Sequence, residues 1–253
     1  MPTFIHGKST GVLLNQFDLS TYFNSVDTAS TIDTAEITSF GASAKSYLPG
    51  LNDATLSLSG LYSQDATVGS DVVLSTILGS ATTPIITVAM ETGAIGRRAI
   101  VAKAHETSYS ISNPVADVSS VSVDFNASTD GTSNVTYGMR SGVMLTAGSS
   151  IAFGALATGL TAVDNTASSA SGGFANLHVT ANTLTGPTTS IKVQHSPDNT
   201  TWADLITFTA LVASTTTSQQ SAVSGTVNRY LRAIGTAGPT GGAVTYHLSF
   251  ARF

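Results

Sequence analysis

The sequence contains no cysteine, which excludes disulfide bonds, thiolate metal sites and a cysteine nucleophile. Charge is also scarce, because Asp, Glu, Lys and Arg make up 10% of the chain, against about a quarter in a typical soluble domain. The net charge is −5, and a clamp for nucleic acid needs the opposite sign in clustered Lys and Arg. These absences argue against thiol chemistry and against specific binding of nucleic acid.

Long apolar runs are missing as well. The first six residues lack the basic flank and apolar run of a signal peptide. Residues 141–163 carry no charge, but their many glycines and serines make them far less apolar than a membrane-spanning helix of about 20 residues. We therefore expect a strand followed by a flexible linker there, and a soluble protein without a membrane span.

What the chain does contain is 42% hydrophobic residues and many Ser and Thr, a composition typical of strands and turns. The clearest pattern lies in residues 47–62. Pro49-Gly50 predicts a turn, and from Ala54 onward leucines alternate with small hydroxyl residues until Gly60 interrupts them. This period of two predicts a strand with one face in a core.

One helix is predicted, over Ser70–Gly79. Val73, Leu74, Ile77 and Leu78 share one of its faces, Ser70 or Asp71 is placed to cap its N-terminus, and Gly79 suits the position after its last turn. Short strands are predicted elsewhere, with a loop at residues 39–49 and turns at Asp130-Gly131, Pro197-Asp198-Asn199 and Gly238–Gly242. The predicted strands are 11–18, 22–26, 84–90, 99–104, 107–111, 115–125, 135–145, 174–180, 190–195, 202–211, 226–234 and 244–253.

The composition also predicts a domain boundary. Residues 146–172 are dominated by Ala, Gly, Ser and Thr, which is typical of a linker. The chain therefore divides into a β domain at residues 1–145, the linker at 146–172, and a small β-sandwich at 173–253. The acids lie mainly in the first part, because residues 1–145 hold twelve Asp and Glu and six Lys and Arg.

No motif of a metal site, cofactor site or enzyme is present. The five histidines have no ligand spacing. His195-Ser196-Pro197-Asp198 contains the residue types of a catalytic triad, but neighbours in sequence cannot generally adopt its geometry, so a turn is predicted. Residues 93–98 lack the lysine and the following helix of a phosphate loop. Arg97-Arg98 either faces an acidic neighbour in an assembly or is solvated.

Trp202, the single tryptophan, leaves two readings open. An aromatic ring after a turn can plug the core of a small sandwich, or it can serve as a platform for a sugar. Core packing is favoured by the large area that the ring would bury, and a glycan contact at Trp202 is kept as the alternative.

Two parts of the sequence resemble known protein families. Residues 38–41 (TSFG) and 45–60 (KSYLPGLNDATLSLSG) resemble the region shared by phage major tail proteins, the tail tube subunits of long non-contractile tails. The second half, with residues 193–205 (VQHSPDNTTWADL) and 228–232 (NRYLR), resembles an accessory domain of phage virion proteins. The resemblance implies an all-β fold, namely a tail-tube-like β-sandwich with one short flanking α-helix, followed by a small C-terminal β-sandwich outside the tube.

The family further implies a homo-oligomeric, hexameric ring that stacks into a tube with other phage tail proteins. DNA would pass through the tube without specific binding, and acids lining the lumen would let it slide. Such a protein is made in the cytoplasm of the host bacterium and resides in the virion tail. The expected contacts between subunits or rings lie in one stretch: Phe40, Lys45, Tyr47, Pro49, Gly50 and Asp53.

The sequence therefore predicts a structural virion protein that assembles into the tail tube, the conduit for DNA ejection, and that is not an enzyme. The alternative is a virion-surface or capsid-decoration module that binds host polysaccharide through its C-terminal domain.

Overall fold

The computed structural model describes residues 6–128, 138–185, 189–236 and 241–253. Strands account for 53% of the chain and helices for 7%, which confirms the all-β class with one flanking helix. Single-turn 3₁₀ helices lie at Gly7–Ser9 and Glu91–Gly93. The other elements are β1 (Gly11–Leu14), β2 (Phe17–Asp18), β3 (Phe23–Glu36), β4 (Tyr47–Leu61), α1 (Ser70–Ile77), β5 (Ile85–Ala89), β6 (Arg98–Ser112), β7 (Ser120–Ala127), β8 (Met139–Met144), β9 (Ser150–Ala152), the single-turn α2 (Phe153–Leu156), β10 (Val163–Asp164), β11 (Gly173–Asn182), β12 (Ile191–Ser196), β13 (Ala203–Thr207), β14 (Thr217–Val223), β15 (Tyr230–Gly235) and β16 (Ala243–Arg252).

The chain forms two compact units. The larger unit comprises Met1–Thr21, Pro84–Ala102 and Arg140–Phe253, and the smaller unit comprises Tyr22–Thr83 and Lys103–Met139. This division differs from the three predicted segments, because pairing between distant strands builds the larger unit: β1 pairs with β5, and β8 pairs with β16. The segment 146–172, predicted as a linker, contains β9 and β10, which pair with β16 and β15.

In the larger unit, one sheet has the strand order β14-β11-β16-β8-β6-β5-β1-β2, and a second has the order β10-β15-β12-β13. The two sheets share one core, with β11 and β16 on one side and β12 and β15 on the other. Its central side chains include Leu177, Val179, Tyr246, Leu248, Ile191, Val193 and Leu231. A sandwich of this kind was predicted for the C-terminal segment, and here it also takes in earlier strands.

In the smaller unit, β3, β4, β7 and the second part of β6 pair in that order, all antiparallel. Helix α1 contacts β7 and buries Val73 and Leu74. Its observed span confirms the helix predicted from the 3.6-residue spacing, and Gly79 has a φ of 73°, as the position after a helix favours. The capping prediction is wrong: Gly69 occupies the cap position, and Ser70 Oγ instead donates to Leu61 O at 2.8 Å.

The turn predicted at Pro49-Gly50 is also wrong, because both residues lie inside β4. The chain reverses within residues 37–46, where Ile37 N donates to Ser46 O at 2.9 Å. β4 pairs with β7 only over Thr55–Leu61. Before Thr55 no described strand pairs with the second side of β4, so a proline without an N–H group is tolerated there.

The short strands β9 and β10 were missed because they lie in the predicted linker. β14, with the sequence TSQQSAV, was missed as well, and β3 was predicted only over residues 22–26 although it continues to Glu36. Neither β3 nor β14 buries an alternate set of apolar side chains, and both pair along one side only within the described residues. Hydrogen bonding to β4 and to β11 fixes them as strands, a long-range effect that a local pattern does not contain. The turn predicted at Asp130-Gly131 and residues 238–240 of the turn predicted at Gly238–Gly242 lie outside the described residues.

A buried polar network lies on the second face of β11. Asn176 Nδ2 donates to the carbonyl oxygens of Ile86 and Ala102, both at 3.0 Å, and Asn176 Oδ1 accepts from Gln220 at 2.8 Å. His178 Nδ1 lies 2.6 Å from Asn15 O, which can only accept, so Nδ1 carries the proton and Nε2 accepts from a threonine hydroxyl. The polar groups of this face are therefore satisfied inside the larger unit.

Replacing Asn176 with alanine is expected to lower the free energy of unfolding by about 2 kcal/mol. The change leaves two buried carbonyl groups and the Gln220 amide without their partner, and each unsatisfied buried group costs about 1–3 kcal/mol. Urea unfolding followed by fluorescence measures the loss. Gln219→Ala, which removes an exposed hydrogen bond to Thr209 O, is the control and should change stability by less than about 0.5 kcal/mol. Equal losses would show that burial of the network is not the cause.

Candidate assembly surface

The distal part of the β3–β4 hairpin stands apart from the rest of the smaller unit. We call residues 29–54 the arm. Within the described residues, β3 and β4 pair along the arm only with each other, since the pairing of β4 with β7 begins at Thr55. Every described residue of the arm up to Asp53 is exposed, and the first buried one is Ala54. The arm is therefore a two-stranded ribbon, and no other described strand pairs with either of its edges.

Large apolar side chains cover this ribbon. The exposed ones are Ile32, Ile37, Phe40, Tyr47, Leu48 and Leu51. Leu51 is 80% exposed. The register places them on both faces: Ile32 follows the core-facing series of β3, whereas Leu48 lies opposite Ala35 on the other face. A solvated ribbon normally carries polar residues on at least one face, so a two-sided apolar ribbon favours burial against a partner.

All six residues predicted as interface contacts lie on the arm. Phe40 is fully exposed in the connection between the strands, and Lys45 Nζ forms an ion pair with Glu36 at 2.9 Å. Tyr47 lies opposite Glu36, and Pro49 opposite Thr34. Gly50 lies in the bulge where the register shifts, with Asp33 O about 3.2 Å from where a side chain would begin.

Asp53, the sixth, holds its carboxylate against the backbone, with Oδ1 accepting from Ala54 N at 2.8 Å. The structure thus brings the six residues onto one element. Their part in contacts between subunits stays a prediction.

Charge is divided unequally between the two units. The smaller unit holds ten Asp and Glu residues and two Lys or Arg, whereas the larger holds five acids and eight Lys or Arg. Several acids of the smaller unit lie on or near the arm, among them Asp33, Glu36 and Asp53. The hydrogen bond from Lys45 lowers the pKa of Glu36, so this carboxylate stays ionised at neutral pH.

Trp202 is half-buried and lies outside the core of the larger unit. The guanidinium of Arg232 lies over its ring, 4.1 Å from the centroid. Gln194 Oε1 fixes this guanidinium by accepting two hydrogen bonds from it, at 3.0 and 2.8 Å. The prediction that Trp202 packs in the core is therefore wrong, because its ring packs under Arg232 instead. A sugar could stack only on the face that Arg232 leaves free, and the glycan contact stays a prediction.

The His195–Asp198 stretch forms the predicted turn. Asp198 Oδ1 accepts from the backbone N–H groups of Thr200 and Thr201 at 2.9 and 2.8 Å and from Ser196 Oγ at 2.9 Å. These backbone hydrogen bonds hold the pKa of Asp198 well below its usual range. His195 Nδ1 accepts from Asn228 N instead, so histidine, serine and aspartate make no triad.

Residues 93–98 likewise form no phosphate loop, because the 3₁₀ turn leads into β6 and not into a helix. Arg97 Nε forms an ion pair with Glu91 at 2.7 Å, which gives Arg97 an acidic neighbour in its own chain. Within the described part of the chain, no group of three or more His, Asp or Glu side chains is placed to hold a metal ion. None of the described helices has the length and apolarity needed to cross a bilayer.

One polar cavity was missed by the sequence analysis. It encloses about 400 Å³ in the larger unit and is lined by Lys8, Asp18, His247 and several threonines. Burial lowers the pKa of His247, and the negative charge of Asp18 offsets only part of this effect. The residues come from strands far apart in sequence, so no local motif signals the cavity.

No protein-family model matches the chain, and no curated protein matches it. A solved chain from the tail of an empty gene transfer agent particle with C6 symmetry has 15% identity and a TM-score of 0.40, over 50% of this chain and 96% of its own. A chain from the virion of a native gene transfer agent particle has 16% identity and a TM-score of 0.41, over 50% of this chain and 95% of its own.

The SPP1 Dit protein, described as a paradigm of the hub adsorption apparatus in phages infecting Gram-positive bacteria, has 13% identity and a TM-score of 0.38, over 96% of this chain and 99% of its own. All three solved chains belong to phage tails or phage-like particles. Similarity at these levels does not assign the present chain to a family.

Proposed function

We propose that this protein is a structural subunit of a phage tail that assembles with further copies of itself through the arm. The observation that carries the proposal is the arm itself, a ribbon with apolar side chains on both faces and unpaired edges. An isolated two-stranded ribbon is marginally stable in water. Burial of each large apolar side chain contributes about 1.5–3 kcal/mol, so a covered arm is much more stable than a free one.

A second copy of the chain is the proposed cover. The unequal charge of the two units supports this choice, since an acidic unit of one copy complements a basic unit of the next. Repetition of one such heterologous contact closes a ring when the rotation allows it, and closure removes the exposed strand edges. The finer proposal is therefore a hexameric ring that stacks into a tail tube, as the sequence resemblance implies.

Passage of DNA is compatible with this charge. The ten acids of the smaller unit would repel phosphate wherever they face a lumen, so that the duplex slides without binding. The chain would then act as a conduit in DNA ejection and would carry out no chemical step.

Negative-stain electron microscopy of the purified protein across a concentration series tests the proposal. Rings or hollow tubes that increase with concentration are the expected result, and six-fold averages would support the hexamer. Amorphous aggregates, or filaments whose formation does not depend on the arm, would contradict it.

A second function, binding of host polysaccharide at the virion surface, is favoured by one observation. The cavity beside His247 offers a carboxylate, an imidazole and hydroxyl groups, which are suitable partners for sugar hydroxyls. A monodisperse monomer at every concentration, together with saturable binding of cell-wall glycans, would favour this function over assembly.

A further inference from the structure

A smaller cavity in the larger unit is lined by two arginines. It encloses about 230 Å³, and its polar lining includes Arg98, Ser141, Asn165 and Arg252. β8 lies between β6 and β16 in the sheet, so Arg98 at the start of β6 and Arg252 at the end of β16 flank Ser141 on β8. Three strands from distant parts of the chain thus bring two guanidinium groups to one cavity.

The hydrogen bonds of Arg252 to other described residues all go to neutral acceptors. Its Nη1 donates to Ser169 Oγ at 2.9 Å and to Val227 O at 2.7 Å, and its Nη2 donates to Asn228 O at 2.6 Å. Its Nε is buried and has no hydrogen-bond partner among the described residues. Burial lowers the pKa of Arg252, because desolvation disfavours the charged form of the guanidinium.

Arg98 is exposed, unlike the partly buried Arg252. Its Nε donates to Ser141 Oγ at 3.2 Å, and its Nη2 contacts the same oxygen. The ion pairs between described residues of the larger unit join Arg97 to Glu91, Lys192 to Asp204 and Arg229 to Asp164. Neither Arg98 nor Arg252 takes part in them, although the neighbouring Arg97 does.

We propose that this cavity binds a small oxyanion, a carboxylate, phosphate or sulfate group, between the guanidinium groups of Arg98 and Arg252. Guanidinium matches the geometry of these anions and binds them by charge-assisted hydrogen bonds. The second Nη2–H of Arg252, the Nη1 group of Arg98 and the hydroxyl hydrogen of Ser141 are not used in the hydrogen bonds described above, and they are the donors for the anion. The volume exceeds that of several water molecules of about 30 Å³ each.

The anion has two possible sources. Free inorganic phosphate or sulfate can enter from solution, or an acidic side chain of a second copy can supply a carboxylate. The ten acids of the smaller unit make the second source plentiful in an assembly. Binding of free anions to the monomer does not depend on the proposed function, so the two proposals can fail separately.

Titration calorimetry of the full chain with sodium phosphate, sulfate and acetate, against chloride at equal ionic strength, tests the site. We expect saturable binding of one oxyanion per chain, weakened at least tenfold in Arg98→Ala. Arg97→Ala is the matched control: it also removes one positive charge, but Arg97 does not line the cavity, and the affinity should change less than about twofold. Arg252→Lys retains the charge and loses the planar fork, so it should bind the anion more weakly than the wild-type protein does.

Sedimentation with and without saturating phosphate separates the two sources. Self-association that falls with phosphate and in Arg98→Ala, but not in Arg97→Ala, identifies a carboxylate of a second copy as the occupant. Phosphate binding with unchanged association identifies a free anion. Absence of saturable binding by all three anions, or equal loss in Arg97→Ala and Arg98→Ala, overturns the proposal.

Discussion

Replacing Phe40 and Leu51 with serine is expected to raise the protein concentration needed for assembly by at least tenfold for each substitution. Both side chains are exposed on the arm, and burial of one large apolar side chain contributes about 1.5–3 kcal/mol, where 1.4 kcal/mol corresponds to a factor of ten. Folding should be unaffected, because neither side chain belongs to a core. Sedimentation velocity and electron microscopy measure assembly, and urea unfolding measures stability.

Val115→Ser provides the control for this prediction. Val115 is as exposed as Phe40 and lies in the same unit, but outside the arm.

Deletion of Ser39–Ala44, which leaves a shorter connection between the strands, should abolish assembly and change the unfolding free energy by less than about 1 kcal/mol. Asp53→Asn should likewise impair assembly more than folding. Equal assembly of the arm variants and Val115→Ser would remove the arm from the interface.

Replacing Glu106 with glutamine is expected to remove a contribution to stability that falls as pH rises from 4.5 to about 8. Glu106 lies on β6 opposite the fully buried Phe125, is itself buried, and has both carboxylate oxygens without a hydrogen-bond partner among the described residues. Burial raises its pKa to about 8 from an ordinary value of 4.5. The folded protein therefore keeps the proton that the unfolded chain releases.

The sign of this pH dependence follows from the number of protons that the folded and unfolded states bind. Between pH 4.5 and 8 the unfolded state binds fewer protons at this position, so the free energy of unfolding falls as pH rises. The slope approaches 1.4 kcal/mol per pH unit, so Glu106→Gln should be the more stable protein by about 3 kcal/mol or more at pH 8. Urea unfolding at intervals of half a pH unit gives the difference between the two curves.

His178 and Glu36 allow the pH effect of Glu106 on stability to be separated from those of other titrating groups. Burial lowers the pKa of His178 to about 4, so its contribution to stability is lost as pH falls from 6.5 to 4, in the opposite direction. Glu36→Gln is the matched control, because Glu36 is exposed and its lowered pKa affects stability only at acidic pH. Parallel curves for wild type and Glu106→Gln would show that the carboxyl group is solvated in the folded protein.

The sequence was a good guide wherever an element depends on its own residues. Val73, Leu74 and Gly79 predicted helix α1 because a helix repeats every 3.6 residues and ends readily at glycine. Leu56 and Leu58 predicted the inward face of β4, since alternation reports a strand with one buried face. The six interface candidates lie on one element because they are neighbours in sequence, and their role in assembly stays a prediction.

The sequence was a poor guide where pairing partners decide. Pro49 and Gly50 carry the chemistry of a turn, but one side of β4 is free of other strands at that point, so both residues fit into the strand. β14 has few apolar residues and exists because β11 pairs with it. The local sequence did not predict the burial of Glu106, because charged residues are usually exposed. The cavity of Arg98 and Arg252 required the pairing of β8 with strands that lie far away in the chain.

By itself, the sequence determined the all-β class, the flanking helix, the absence of thiol chemistry and the low charge, because each depends on composition or on a period of a few residues. Only the tertiary structure decided how the strands divide into two units, that the arm has apolar residues on both faces and free edges, and which polar groups are buried. These features depend on contacts between residues far apart in sequence. Such contacts follow from the packing of the whole chain, and local preferences do not encode them.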